Sequence, residues 1–401
     1  MADELTYVLI TPYSLHKSRT GGILSRLLSL THLQLVDARM YAFSDTLADK
    51  FAATIGDMDI EPHLRQTFVQ YCEENLRREN PMGISNRSLV LFFKGPNAVR
   101  HMKDEVVGSI TRIPQGDRVR RTYGDFVPYP DGEVKYFEPA VICAADSEAN
   151  RKQLALFDEY AETDGGVIED SVSFSDEVRS RVQTTLVILK PENFSRPSRR
   201  PGNIIDVFAA TGCYFVGAKL FGMTVNQGLE FYGPLEQMFV ERLKGKVIDE
   251  LRRSLAPSFK FPIVDDTHAA MAELLKHQHA TYEFYRIVEY MAGMDPAKIT
   301  DPVARNRPGT SKCLALLYRG PNAVQVIRHW LGSTDPDAAA PGTVRSDFGR
   351  DLMRNGAHAS DSAESADRER KVIGMWDRQD ANNLHKIVAE YLEQPVLATV
   401  S

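Results

Sequence analysis

Apolar positions along this chain fall in short unbroken runs that alternate with helical stripes. Leu5 to Ile10 is a β-rich run stopped by Pro12, and Thr185 to Leu189 is a second one stopped by Pro191. A loop rich in Ser and Arg follows each run, and then a glycine opens an amphipathic helix. Ile23, Leu24, Leu27 and Leu28 give the stripe of the first helix; Ile204, Ile205 and Phe208 give that of the second. Another strand is predicted after each helix, over 33–41 and 214–223. Further on, the apolar run Ser88 to Phe93 leads through Lys94 into Gly95-Pro96-Asn97-Ala98-Val99. Its counterpart, Cys313 to Tyr318, leads into Gly320-Pro321-Asn322-Ala323-Val324.

An identical pentapeptide after matching strands marks a duplication, and its period is far longer than that of solenoid repeats. Each copy reads β-α-β-(helices)-β-α-β. The expected fold class is therefore α+β: two tandem ferredoxin-like (βαββαβ) domains, with helices packed on antiparallel sheets and a helical insertion in each. The acidic, Ser-rich stretch from Gly165 to Arg181 separates the copies, giving domains 1–170 and 181–401. The insertion of the second copy is expected over about 233–282, with one helix through Lys246 to Leu255.

Composition narrows the function classes. With 401 residues, 43% hydrophobic and 25% charged, the chain is an ordinary globular one of two or three domains. A net charge of −6 without a basic tail argues against nucleic acid and membrane partners. Cys72, Cys143, Cys213 and Cys313 are scattered and form no CxxC pair, which speaks against a zinc site or a disulfide framework. No signal-peptide pattern or membrane-length apolar run is visible, so a cytoplasmic location is expected.

The chemistry concentrates in Arg354-Asn355-Gly356-Ala357-His358-Ala359-Ser360-Asp361-Ser362-Ala363-Glu364. Asp361 reads as a helix N-cap with Glu364 completing a capping box, and His358 stands just ahead of it. Backbone N–H groups at such a helix start favour an anion, and histidine can accept and release a phosphoryl group near neutral pH.

This stretch resembles the nucleoside diphosphate kinase signature Asn-x-x-His-Gly-Ser-Asp-Ser, with Ala359 in place of glycine. Leu331-Gly332-Ser333-Thr334-Asp335-Pro336 resembles the family's Leu-Gly-x-Thr-Asn-Pro turn, with Asp335 replacing asparagine. Pro341-Gly342-Thr343-Val344-Arg345-Ser346-Asp347-Phe348 is similar to its Pro-Gly-Thr-Ile-Arg-Gly-Asp-Phe. By that resemblance His358 is the nucleophile, supported by Ser360 and Glu369, with Tyr232 packed nearby. Arg328, Thr334 and Arg345 would hold phosphates. Lys190 and Asn355 would bind the ribose hydroxyls, and the base would stack between Phe284 and Leu352. Mg2+ would arrive on the nucleotide phosphates, so no protein metal site is expected.

The implied activity is transfer of the γ-phosphoryl group from ATP or another nucleoside triphosphate to a nucleoside diphosphate, by a ping-pong route through phosphohistidine. Homo-oligomers through the kinase-like domains are a further implication. Aligned by residue type, the first copy lacks the parts: Thr11 stands for Lys190, Tyr123 for Arg345, Ala140 for Asn355, Cys143 for His358, Ala145 for Ser360 and Leu154 for Glu369. It is expected to be inactive. The alternative reading is a nucleotide-binding scaffold with little or no transferase activity, in which case a cilium or flagellum axoneme is the expected location.

Overall fold

The computed structural model describes residues 3–56, 62–109, 117–130, 134–378 and 380–394. Four strands build a sheet from the first copy: β1 (Asp3–Ile10), β2 (Gln34–Ala42), β3 (Arg87–Pro96) and, after a two-stranded ribbon of β4 (Asp125–Pro128) and β5 (Val134–Glu138), β6 (Val141–Ile142). Their spatial order is β2-β3-β1-β6. The second copy repeats this with β7 (Val182–Leu189), β8 (Tyr214–Phe221), β9 (Cys313–Pro321) and β10 (Ala357–Ala359), in the order β10-β7-β9-β8. Both central pairs are antiparallel: Leu9 lies opposite Val90, and Ile188 opposite Ala315. This is the ferredoxin-like α+β arrangement expected, built twice.

The central strands read as unbroken apolar runs because both faces of each sheet are covered. In β1, Leu5, Tyr7 and Leu9 join one core with Phe51, Phe92 and Phe157, while Val8 and Ile10, pointing the other way, are equally buried. Aromatic edges meet faces in that core, with Tyr7 and Phe157 centroids 4.8 Å apart.

The chain divides into two compact units that do not follow the repeat. One joins Met1–Leu220 to Leu314–Ser401 and holds both sheets; the other is Phe221–Cys313. This second unit is built on the helices Val225–Arg242, Lys244–Leu255 and Asp265–Ala292, so helical structure extends beyond the expected 233–282 at both ends. Thr224 and Gln227 form a reciprocal capping box on the first of these helices, which continues through Pro234.

Within the larger unit the copies meet through equivalent parts. Helix Thr20–Leu30 lies against helix Arg200–Ala209, with Gly21 beside Gly202. The Ser25 hydroxyl reaches the Arg199 carbonyl (3.0 Å) and Asn203 Oδ1 (2.8 Å). Each copy also lends its exit segment to the other. The Ile168 amide, leaving the first copy, donates to the Val216 carbonyl on β8 (2.9 Å). The helix Asn382–Leu392, leaving the second, places Leu384 and Val388 in the first copy's core.

A methyl group on Gly202 would run into the Gly21 carbonyl and the Ser25 amide, both backbone. Gly202→Ala should therefore lower stability by about 1–3 kcal/mol, the ordinary cost of overpacking, although alanine is the better helix former. Urea unfolding of the full chain measures it; an unchanged midpoint contradicts the close helix contact.

Candidate functional site

β10 is three residues long, and the site hangs on it. It pairs with β7 so that His358 lies opposite Ile188. Gly356, at φ +83°, makes the turn that leads into it. That glycine is held at both ends: its amide donates to Glu192 Oε1 (2.9 Å), and its carbonyl accepts from the Lys190 amide (3.1 Å) and Asn193 Nδ2 (2.7 Å).

The same turn presents Asn355, which is 1% exposed. Its Nδ2 donates to the Thr334 and Leu352 carbonyls (3.0 and 3.1 Å), and its Oδ1 accepts from Lys190 Nζ (2.7 Å). Lys190 Nζ also donates to the Met353 carbonyl (2.8 Å). The strand-end lysine is thus drawn into the loop by a buried amide and a backbone carbonyl.

His358 Nε2 lies 2.9 Å from Glu369 Oε2, and the Ser360 hydroxyl donates to the same oxygen at 2.7 Å. Burial pushes the Glu369 carboxyl up. The charge and hydrogen bond of His358, with the bond from Ser360, outweigh it and leave the group below its ordinary 4.5. Glu369 reaches the histidine from the helix Ala363–Val372. That helix is capped by Ser362, whose Oγ accepts from the Ser365 amide (3.0 Å). The expected cap, Asp361, lies one residue outside it.

Two arginines also bond the backbone of β10. Arg345, 7% exposed, donates from Nη1 to the Gly332 carbonyl (3.2 Å) and Thr334 Oγ1 (3.3 Å), and from Nη2 to the Ala357 carbonyl (3.4 Å). Its Nε is buried with no hydrogen-bond acceptor among the described residues. Burial, and then the like charge of Arg328, lower its guanidinium to about 10. Arg328 Nη1 reaches the Ala359 carbonyl (3.4 Å). Two cations that repel each other beside a histidine make a place where an anion is favoured. A cavity of about 410 Å3 opens beside Arg328, Asp361 and Ser362. A larger one, about 950 Å3, is lined by Arg77, Arg87 and Tyr214 and includes none of these site residues.

The structure thus brings Lys190, Arg328, Thr334, Arg345, Asn355, His358, Ser360 and Glu369 together on one copy, with Leu352 at the loop surface, 55% exposed. Tyr232 and Phe284 belong to the other compact unit. Phe284 is 3% exposed, so its ring offers no face on which a base could stack, contrary to expectation. Glu192 and Asn193 were missed by the sequence reading; their position directly after Lys190-Pro191 was the available signal. Among the described residues, no group of three or more His, Cys, Asp or Glu could hold a metal ion, and no helix is long and apolar enough to cross a membrane.

In the first copy the backbone is the same and the side chains are not. The Thr11 amide donates to the Ala140 carbonyl (3.1 Å), as Lys190 does to Gly356, and Ala140 also has positive φ, +59°. Leu9 lies opposite Ile142. The residue in the place of His358 is therefore Ile142, and Cys143 takes the place of Ala359, a shift of one from the expected alignment. Pro139 then stands for Asn355, Ala144 for Ser360 and Gln153 for Glu369.

The arginine is not lost either. Arg120, not Tyr123, matches Arg345: each precedes its helix-ending glycine by four residues and accepts that glycine's amide at 2.9 Å. Arg120 Nη2 donates to the Val141 carbonyl (3.2 Å) and its Nη1 to the Gly108 carbonyl (3.4 Å). Where the second copy has Lys190 and Asn355, the first has a carboxylate. Glu138, on β5 and 1% exposed, accepts from Thr11 Oγ1 (2.9 Å), Tyr71 Oη (2.8 Å) and the Ala140 amide (2.9 Å). The β4–β5 ribbon that delivers it was not anticipated from sequence.

Fold and site define a duplicated ferredoxin-like α+β protein in which one copy gathers a histidine–carboxylate pair, a lysine and two arginines at a sheet edge. The pattern describing nucleoside diphosphate kinases matches residues 305–375. The nucleoside diphosphate kinase of Wigglesworthia glossinidia brevipalpis is 48% identical over 198 residues, 49% of this chain and 96% of that protein. That of Archaeoglobus fulgidus is 42% identical over 79 residues, 18% of this chain and 52% of its own length. The Aquifex aeolicus nucleoside diphosphate kinase structure aligns with 48% of this chain and 94% of its own, at 25% identity and a TM-score of 0.30. The chain belongs to the nucleoside diphosphate kinase family. It spans about half or less of the first curated relatives it matches, 52% and 38% of their lengths.

Because Glu369 is held below its ordinary 4.5, its contribution to stability is complete above that pH and is lost as pH falls through the lowered value. The stability gap between the wild type and Glu369→Gln should therefore be widest above 4.5 and narrow on acidification. Urea titrations between about pH 3 and about pH 7 read it; a gap constant across that range contradicts the assigned charge.

Proposed function

We propose that this chain is a nucleoside diphosphate kinase whose second copy, within 181–401, works through a phosphohistidine at His358. The observation that carries the reading is the His358–Glu369–Ser360 arrangement. An ionised carboxylate only accepts hydrogen bonds, so Nε2 carries the proton and the lone pair of the neutral ring lies on Nδ1. In the first half-reaction Nδ1 bonds to the γ-phosphorus of a nucleoside triphosphate. The bond from that phosphorus to the β,γ-bridging oxygen breaks, and the nucleoside diphosphate leaves with the electron pair. A second nucleoside diphosphate takes the phosphoryl group back through a terminal β-phosphate oxygen, returning the lone pair to Nδ1.

As Nδ1 bonds to phosphorus the ring gains positive charge, and Glu369, already ionised, stabilises it without moving. Arg328, Arg345 and Thr334 would receive the phosphates by charge-assisted hydrogen bonds. The unpartnered Nε of Arg345 supports that assignment. Lys190 and Asn355 would hold the ribose hydroxyls, and Leu352 would cover one face of the base. These cations suit phosphate oxygens and give a metal no ligand cage. Mg2+ would therefore be bound through the nucleotide, where it neutralises phosphate charge. The first copy would bind no nucleotide, because Glu138 places a carboxylate where the second copy has Lys190 and Asn355.

Incubation with γ-labelled ATP should give acid-labile, base-stable label that disappears in His358→Ala, with transfer falling by roughly 10^4-fold or more. Label that survives the substitution sinks the reading, and tight nucleotide binding without transfer in the wild type turns it into a scaffold. Calorimetric titration with a nucleoside diphosphate should give one site per chain; two equivalent sites contradict a closed first copy.

A further inference from the structure

The segment that leaves the first copy does more than connect. After the Ile168 amide has bonded to β8, the next residue, Glu169, meets two arginines of the second copy. Its Oε1 accepts from Arg370 Nη2 at 2.5 Å and its Oε2 from Arg319 Nη1 at 2.9 Å. Arg319 lies on β9, and its Nη1 also donates to Thr184 Oγ1 on β7 (2.9 Å). Arg370 lies on the helix Ala363–Val372, directly after Glu369. Its side chain is 6% exposed, and Glu169 is its carboxylate partner among the described residues. Arg370 Nε donates to the Met375 carbonyl (3.2 Å), so it also ties down the turn that ends the helix.

One carboxylate from the connecting segment thus fastens the helix that carries Glu369 to β9 and β7, and β7 is the strand on which β10, with His358, pairs. The first copy needs no such fastening. Where Gln153 stands for Glu369, the following residue is Leu154, fully buried in the apolar core. An arginine at that place is stable only with a counter-charge, and leaving it buried and unpaired is strongly unfavourable.

We infer that Glu169 is a positioning residue for phosphoryl transfer: through Arg370 it sets where Glu369 meets His358, so that the exit segment of the inactive copy is a working part of the active one. This rests on the proposed transferase reading. Without Glu169 the Arg370 guanidinium turns toward water and takes the helix with it. A misplacement of about 1 Å at a reacting centre costs on the order of 10^2-fold in rate.

The test uses the full chain as Glu169→Gln, beside a double variant that adds Arg370→Leu and so copies the first domain. In Glu169→Gln, kcat should fall by roughly 10- to 100-fold with KM for the nucleoside diphosphate nearly unchanged. Hydrogen exchange of the amides 363–372 should quicken. The double variant should recover part of kcat, because the buried charge is gone and a leucine at this place can hold the helix by packing, as Leu154 does in the first copy. An unchanged kcat with an active wild type overturns the inference, as does unchanged exchange or failure of Arg370→Leu to rescue. A wild type without transfer defeats the proposed reaction instead, and the exchange measurement, which needs no turnover, still reads whether Glu169 holds the helix.

Discussion

The site depends on how a three-residue strand is kept at the edge of a sheet. β10 contributes few ladder bonds of its own, and an edge strand this short would fray without other support. The support comes from the turn before it and from arginines behind it. Gly356 is pinned by the Lys190 amide, Asn193 and Glu192, while Arg345 and Arg328 take the carbonyls of Ala357 and Ala359. With those five contacts in place, His358 has one orientation relative to Glu369 and Asn355 one relative to Lys190. Loss of the turn would scatter all four side chains together.

The first copy separates architecture from chemistry. Its turn keeps positive φ at Ala140, a conformation that costs an alanine about 1–2 kcal/mol. That strain persists where no histidine follows, so the turn belongs to the fold. Arg120 likewise bonds the Val141 carbonyl as Arg345 bonds that of Ala357. The backbone bonds of this arginine are structural in both copies. What differs is Lys190, Asn355, His358, Ser360 and Glu369, the residues to which the proposed reading gives the phosphoryl transfer. Glu138 then completes the contrast, because a buried carboxylate held by Thr11, Tyr71 and a backbone amide stands where the second copy has Lys190 and Asn355.

Much of this was visible in the sequence, and the misses have identifiable causes. The duplication, the sheet strands and the second-copy motifs could be read because apolar runs and turn residues recur at matching places. The register of the first copy could not. Residue type pairs Asp146 with Asp361, but the position that caps the helix is filled by Asp146 in one copy and Ser362 in the other. Aspartate and serine cap equally well, so matching like with like slid the alignment by one residue. In the same way Gly124-Asp125-Phe126 drew Tyr123 onto Arg345, whereas buried Val119 and Val344 set the true register. Pro128 and Pro130 disguise the β4–β5 ribbon, because proline donates no ladder hydrogen bond. Pro234 likewise lies inside a helix that continues through it, against the usual effect of proline.

The tandem arrangement explains why the compact units ignore the repeat. Gly21 and Gly202 are equivalent residues in contact with each other, which is the signature of an isologous interface, here contained in one chain. Such an interface constrains both surfaces alike when it is formed by separate subunits, since any change appears on both sides. A covalent link removes that restriction and lets each side change alone. One copy can then lose its histidine while retaining Gly21, Ser25 and the core that receives Leu384 and Val388. The exchanged exit segments make the retention necessary, because each sheet is finished by residues from the other copy's end: Ile168 and Glu169 on one side, the helix Asn382–Leu392 on the other. Neither half is complete without the exit segment of the other.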